Sequence, residues 1–209
     1  MPNWVKQRVT FHGENESLKK FVEAVTVQQA DNDAAEKFNK EFQFETVELP
    51  SGNKIEARDF HKQTRTLGSV SFNKLVPEPD NLFRNSISSE QEEWLSEHGY
   101  PSWYKWHNAN WDTKWDACDP EVRWLDDNDV EIEFDTAWSC PYSVWYAIGE
   151  LAESLGIEFE GVFADEDFGG AMGCMNKENG DDIYICHADG DRDIYRDVWG
   201  FDVEDDLED

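Results

Sequence analysis

The chain of 209 residues carries 47 Asp and Glu against 18 Lys and Arg, a formal charge of −29. Such a charge disfavours direct contact with DNA or RNA, whose phosphates it repels at long range. Ten Trp, thirteen Phe and six Tyr exclude a disordered chain and suit one large domain, or one domain with an insertion.

In chain order, Trp4–His12 alternates imperfectly and predicts a strand that Gly13 ends. Leu18, Phe21, Val22 and Val25 fall at helical spacing behind Ser17, and Asp31-Asn32-Asp33 should close that helix. Residues 34–67 read as an insertion or long loop of weak structure around the turn Leu49-Pro50-Ser51-Gly52-Asn53. Gly68–Leu75 predicts a second strand, stopped by Val76-Pro77-Glu78-Pro79. A short helix over Ser88–Glu97 is capped by Ser88 or Ser89. Aromatic residues crowd 100–118. Val122–Leu125 and Val130–Trp138 form a hairpin across Asp126-Asp127-Asn128-Asp129. Pro141 opens a helix that Gly156 stops. Strands follow at Ile157–Phe163, Ala171–Met175 and Asp182–Cys186. The expected fold is α+β: a ferredoxin-like split βαβ sheet with both helices on one face, plus an insertion and extra C-terminal strands. The domain should cover 1–198, with insertions around 31–67 and 77–121, and an acidic, frayed tail over 199–209.

No apolar run of about 18 residues marks a membrane span. The start Met1-Pro2-Asn3-Trp4 lacks the basic-then-apolar layout of a signal peptide, so cytoplasm is the expected compartment. The four cysteines, Cys118, Cys140, Cys174 and Cys186, are then expected reduced and mostly buried. With His107 and His187 they show no paired zinc spacing. Asp189-Gly190-Asp191-Arg192-Asp193 starts like a calcium loop, but Ile194 and Gly200 stand where that loop needs a Gly and a carboxylate. A solvated acidic turn is the better reading. No metal, cofactor or catalytic residue is expected.

Three blocks carry a family likeness: Met1-Pro2-Asn3-Trp4, Asn110-Trp111-Asp112-Thr113-Lys114-Trp115-Asp116-Ala117, and Thr136-Ala137-Trp138-Ser139-Cys140-Pro141. To about residue 188 the chain resembles the YubB-type ferredoxin-like proteins of bacteriophages and plasmids, a family of unknown function. It departs from that family's pattern at Val5, Asp112 and Cys140. The resemblance implies the fold and a mobile-element origin, and no reaction.

The charge is uneven. Residues 1–80 hold 13 acids and 11 bases, whereas residues 81–209 hold 34 acids and 7 bases, a net of −27. Salt adaptation would acidify both parts; plain solubility remains a competing account. The segment Asp129-Val130-Glu131-Ile132-Glu133-Phe134-Asp135 alternates strictly. On a strand its apolar residues face the helices, and Asp129, Glu131, Glu133 and Asp135 line the other face, about 6.7 Å apart. Glu158 and Glu160 repeat the pattern on a strand expected to neighbour it, and no Lys or Arg occurs between 124 and 176. With Asp126 and Asp127 these residues form the expected binding surface. Unpaired carboxylates would stand where a nucleic-acid-binding defence complex, a CRISPR effector or a restriction enzyme, expects phosphates. An ordinary solvated sheet face is the plainer account.

A second candidate is a pocket around His107, Trp111, Asp112, Trp115 and Asp116, serving an accessory enzyme or a small-ligand-binding protein. An aromatic pair flanked by carboxylates suits a sugar, a base or a cation. The preferred alternative there is that both Trp fill the core and Asp112 caps a turn.

Overall fold

The computed structural model describes residues 3–188 and 190–200. Met1-Pro2 of the first block, Asp189 of the acidic turn and the tail from Phe201 lie outside them.

β1 (Trp4–His12) buries every second side chain, including Val5, Val9 and Phe11. α1 (Asn15–Val25) turns Leu18, Phe21 and Val25 inward. Asp31-Asn32-Asp33 does not close this helix. It lies inside α2 (Gln29–Glu41), where the Asp31 carboxylate accepts from the Gln28 backbone N–H at 2.7 Å and completes a capping box. The weakly structured loop expected over 34–67 is therefore partly helical. It also holds a small hairpin, β2 (Val47–Glu48) with β3 (Lys54–Ile55), around the predicted turn.

Gly68–Leu75 is not a strand. Val70 makes one bridge to Thr26, and Phe72–Lys74 is a 3-10 turn. The backbone donors of Ser71 and Phe72 are taken by groups distant in sequence and outside the large sheet. The Asp116 carboxylate accepts from Phe72 N at 2.6 Å and Ser71 Oγ at 2.7 Å, and the Val25 carbonyl accepts from Ser71 N at 3.1 Å. α3 (Ser89–Glu97) has the predicted cap, Ser88, in a box with Gln91. α4 (Trp103–Asn110) carries part of the aromatic block.

β4 (Cys118–Trp124) and β5 (Asp129–Ala137) form the predicted hairpin. α5 (Tyr142–Leu155) ends where Gly156 takes φ +67°, a conformation that glycine reaches without a Cβ penalty. β6 (Glu158–Asp165), β7 (Met172–Lys177) and β8 (Tyr184–His187) follow. The last element, α6 (Arg192–Trp199), occupies residues expected to be an acidic turn and the start of a tail; Asp191 caps it.

The large sheet has the order β4-β5-β1-β6-β7-β8, with every neighbouring pair antiparallel. Its first four strands give the ferredoxin-like order, so the fold is the one expected, with β4 in place of residues 68–75 as its second strand. α1 and α5 lie together on one face: Leu18, Phe21, Val144, Trp145 and Ile148 share a cluster with Phe11, Phe134 and Phe163. Gly161 on β6 permits the close approach of β1, because a Cβ there would stand 2.5 Å from Val9 Cγ2.

Residues 26–117 form one excursion between α1 and β4. It has its own apolar cluster, around Leu49, Ile55, Phe60, Phe83 and Leu95, and returns Val70 and Phe72 to the main core. On the opposite sheet face, α6 packs Tyr195 and Val198 onto Ala164 and Met172. There the β7–β8 register sets Cys174 directly across from Cys186, and the two form a disulfide, contrary to the expectation of four reduced thiols. Cys118 and Cys140 stay free. No helix among the described residues is long and apolar enough to cross a membrane.

Candidate functional site

The acidic face and the aromatic pocket lie in different parts of the molecule. On the acidic face, Val130, Ile132 and Phe134 point into the core as expected, and Asp129, Glu131, Glu133 and Asp135 share the other side of β5. Two expectations about this row fail. Glu158 and Glu160 are not on a neighbouring strand, because β1 runs between β5 and β6. The β5 carboxylates are also not unpaired, because β1 supplies the cations that residues 124–176 lack. Lys6 Nζ is 3.1 Å from Glu133 and 4.0 Å from Asp135, Arg8 Nε is 3.0 Å from Glu131, and His12 Nδ1 is 2.7 Å from Asp129. Arg123 of β4 pairs with Glu131 from the other side. Lys6 and Arg8 each lean one step along the register, since Asp135 and Glu133 are their directly opposite residues. Glu131 is consequently buried, at 7% exposure.

α6 holds the same cations from above. Arg8 donates to the Asp197 carbonyl at 3.0 Å, and Lys6 lies 5.1 Å from the centre of the Trp199 ring. At the end of the row, burial pushes the Asp135 carboxyl upward. Lys6 opposes this, while Asp119, Glu133 and Glu166 reinforce it, and the net direction is up.

The other four expected contact residues stay exposed and form no ion pair among the described residues, as do many carboxylates outside this surface. Glu158 and Glu160 stand on β6 opposite His12 and Thr10, with Asn176 on the far side of Glu160. Asp126 and Asp127 are exposed on the β4–β5 turn, where Asp126 accepts from Asn128 N at 2.7 Å.

The residues of the second candidate separate. Trp111 is fully buried. Its ring stacks on His107 at 4.0 Å, and its Nε1 donates to the Val76 carbonyl at 2.9 Å. It is a core residue, as the preferred reading has it. Asp112 holds a left-handed conformation, φ +59°, and its carboxylate accepts from Ser143 N at 2.7 Å and Ser143 Oγ at 2.6 Å. It thus caps α5, whose preceding residue, Pro141, offers no capping side chain. Replacing Asp112 by Ala should cost about 2 kcal/mol in urea unfolding, from the lost cap and the strained backbone. Asp112→Asn should lose under about 1 kcal/mol. Equal losses for the two variants would show that the cap is not what this carboxylate contributes.

His107, Trp115 and Asp116 do converge, on a cavity of about 520 Å³ between the excursion and the start of β4. The residues that complete it are Arg65, Glu78 and Arg84, scattered through irregular segments. Glu78 is at the centre. His107 Nε2 is 2.7 Å from Glu78 Oε1, Arg84 is 3.1 Å from Oε2, and Arg65 is 3.9 Å from the same oxygen. Burial alone raises the Glu78 carboxyl. The His107 hydrogen bond and the charges of Arg84 and Arg65 outweigh it and hold the group below its ordinary value. His107 Nδ1 faces the Lys114 carbonyl at 2.9 Å, so both ring nitrogens face acceptors. Cys118 also lines the cavity. Burial, with Asp119, Asp116 and Asp135 nearby, pushes its thiol up to about 11, a poor nucleophile at neutral pH. The one available signal was Pro77-Glu78-Pro79, an acid fixed between two prolines.

Residues 107–206 match the family model described as the ferredoxin-like domain in Api92-like protein. The crystal structure of protein api92 from Yersinia pseudotuberculosis is similar in fold. It has a TM-score of 0.51 and 11% identity, over 90% of this chain and 99% of that one. No curated protein matches. The matched region begins in α4 and takes in β4, β5, α5 and β6, whereas β1 and α1 precede it. The chain thus has a ferredoxin-like fold, and in its second half it is similar to Api92-like proteins.

Proposed function

We propose that this chain is an acidic binding protein that docks on a basic, nucleic-acid-binding partner and competes there with the nucleic acid. The observation that carries the reading is the set of exposed, unpaired carboxylates, Asp126, Asp127, Glu158 and Glu160, in a segment of net charge −27. The paired β5 row is not itself the contact. The resemblance to phage and plasmid proteins makes a host defence complex the target class. CRISPR effectors and restriction enzymes hold DNA in positively charged channels. The site of action is then the bacterial cytoplasm. No reaction is part of this reading.

The test is gel-shift competition among the protein, DNA and a panel of such complexes. The combined variant Asp126→Asn, Asp127→Asn, Glu158→Gln and Glu160→Gln removes four charges and breaks no ion pair. It should displace DNA about tenfold less well, since four exposed contacts of a few tenths of a kcal/mol each sum to about 1.4 kcal/mol. Added salt should weaken the parent's competition, because exposed charges are screened within about 8 Å at physiological strength. The reading is abandoned if no complex in the panel releases DNA, or if the neutralised variant competes as well as the parent.

A further inference from the structure

The cavity beside Glu78 has unspent hydrogen-bond donors on two guanidinium groups. A guanidinium has five N–H donors. Arg84 gives one to the Leu82 carbonyl at 2.8 Å and one to Glu78 at 3.1 Å. Arg65 places Nε 2.9 Å from Asp116, but its 3.9 Å approach to Glu78 is too long for a hydrogen bond. No other acceptor for either guanidinium is found among the described residues. Both arginines line the cavity, and Arg84 is only 10% exposed.

The carboxylates on the same walls are used up. Asp116 already accepts from Ser71 Oγ, Phe72 N and Ala117 N as well as meeting Arg65. Glu78 is taken by His107 and Arg84. A sugar hydroxyl would find no free carboxylate here, and a cation would face two guanidinium groups. Trp103 and Trp115 supply flat apolar wall. The volume of about 520 Å³ is of the size that holds a small organic molecule.

We propose that this cavity binds a small flat anion, a ring joined to a phosphate or a carboxylate, with Arg65 and Arg84 on the anionic group and Trp103 and Trp115 against the ring. The guanidinium fork matches both oxyanions in geometry. The site is on a different part of the chain from the acidic docking residues and stands or falls independently of them.

Isothermal titration of the full chain with four probes tests it. Adenosine 5′-monophosphate and nicotinate represent the two kinds of ring anion, adenosine lacks the anion, and inorganic phosphate lacks the ring. At least one ring anion should bind with a Kd at or below about 1 mM, and adenosine and phosphate should bind at least about tenfold more weakly. Which ring anion binds separates phosphate from carboxylate recognition. Arg65→Gln should weaken the ring anion about tenfold. Arg65 is partly exposed, so its loss is the mildest cut into the wall. Trp115→Leu, also at a partly exposed position, provides the second variant should the first fail to fold. Either a folded variant that binds as the parent does, or the absence of heat from both ring anions at millimolar concentration, overturns the proposal.

Discussion

Glu78→Gln should lower unfolding stability by about 3–5 kcal/mol, the range for removing one partner from a buried ion pair. The substitution keeps shape and takes only the charge. It strands Arg84, 10% exposed, and deprives His107 of its carboxylate acceptor. Burial already presses the Arg84 guanidinium downward from its ordinary value, and Glu78 is the largest opposing influence. A matched cut in an exposed pair, such as Glu16→Gln beside Lys19, should leave the urea midpoint nearly unchanged. The acid limb offers a second measurement. The Glu78 carboxyl is held below its unfolded value, so its contribution is fully present above about pH 4.3 and is lost as pH falls through the folded value. The Gln variant should therefore lose stability less steeply than the parent below pH 4. Parallel acid limbs would show that Glu78 does not carry the linkage, and an unchanged urea midpoint would show that the network is not a structural centre.

Trp111→Ala should cost about 3–5 kcal/mol, against under about 1.5 kcal/mol for Trp115→Ala, although the two residues are four apart in one block. Trp111 is fully buried among Phe72, Trp106 and His107. Its removal opens a cavity and also leaves the Val76 carbonyl without its indole donor. Trp115 is partly exposed against Trp4, with Lys114 over its face at 4.5 Å. Similar losses for both would mean that Trp115 also belongs to the core, and the ligand wall would then lose one side. Urea midpoints for the two variants decide the matter.

The elements that sequence reasoning found are those in which one signal suffices. β1 and β5 alternate, α1 and α5 carry apolar stripes, and α3 and α5 have terminal residues of the right kind. α2 escaped because its inward face is nearly bare: Ala35 is its one buried residue, and most of the rest is polar. α6 was legible. Ile194, Tyr195, Val198 and Trp199 make a helical stripe behind a capping Asp191, but the surrounding acids drew attention to metal and tail instead. Residues 68–75 alternate like a strand, yet Asp116, more than forty residues on, takes the backbone donor that a sheet would have used. No local pattern records that.

The acidic face failed for a different reason. A ferredoxin-like order requires the first strand to lie between the third and fourth, so the expected fold already placed Lys6 and Arg8 among the acids of β5. The error was to weigh charge along the chain when charge is balanced across strands. The cavity was hidden more deeply, because Arg65, Glu78 and Arg84 have no common spacing and meet only through the path of the excursion.

That path also governs the timing of folding. β1 lies at the middle of the sheet, but its two partners are residues 129–137 and 158–165. At ordinary synthesis rates of about 5–20 residues per second, β1 leaves the ribosome roughly six to twenty-five seconds before β5, the earlier of its two partners, is complete. Through that interval a strand with Val5, Val9 and Phe11 on one side has neither neighbour. Joining residues this distant makes folding slow for a chain of this size. Lys6 and Arg8 then serve a second purpose: until their carboxylates arrive, positive charge on a waiting, edge-exposed strand discourages pairing with other chains.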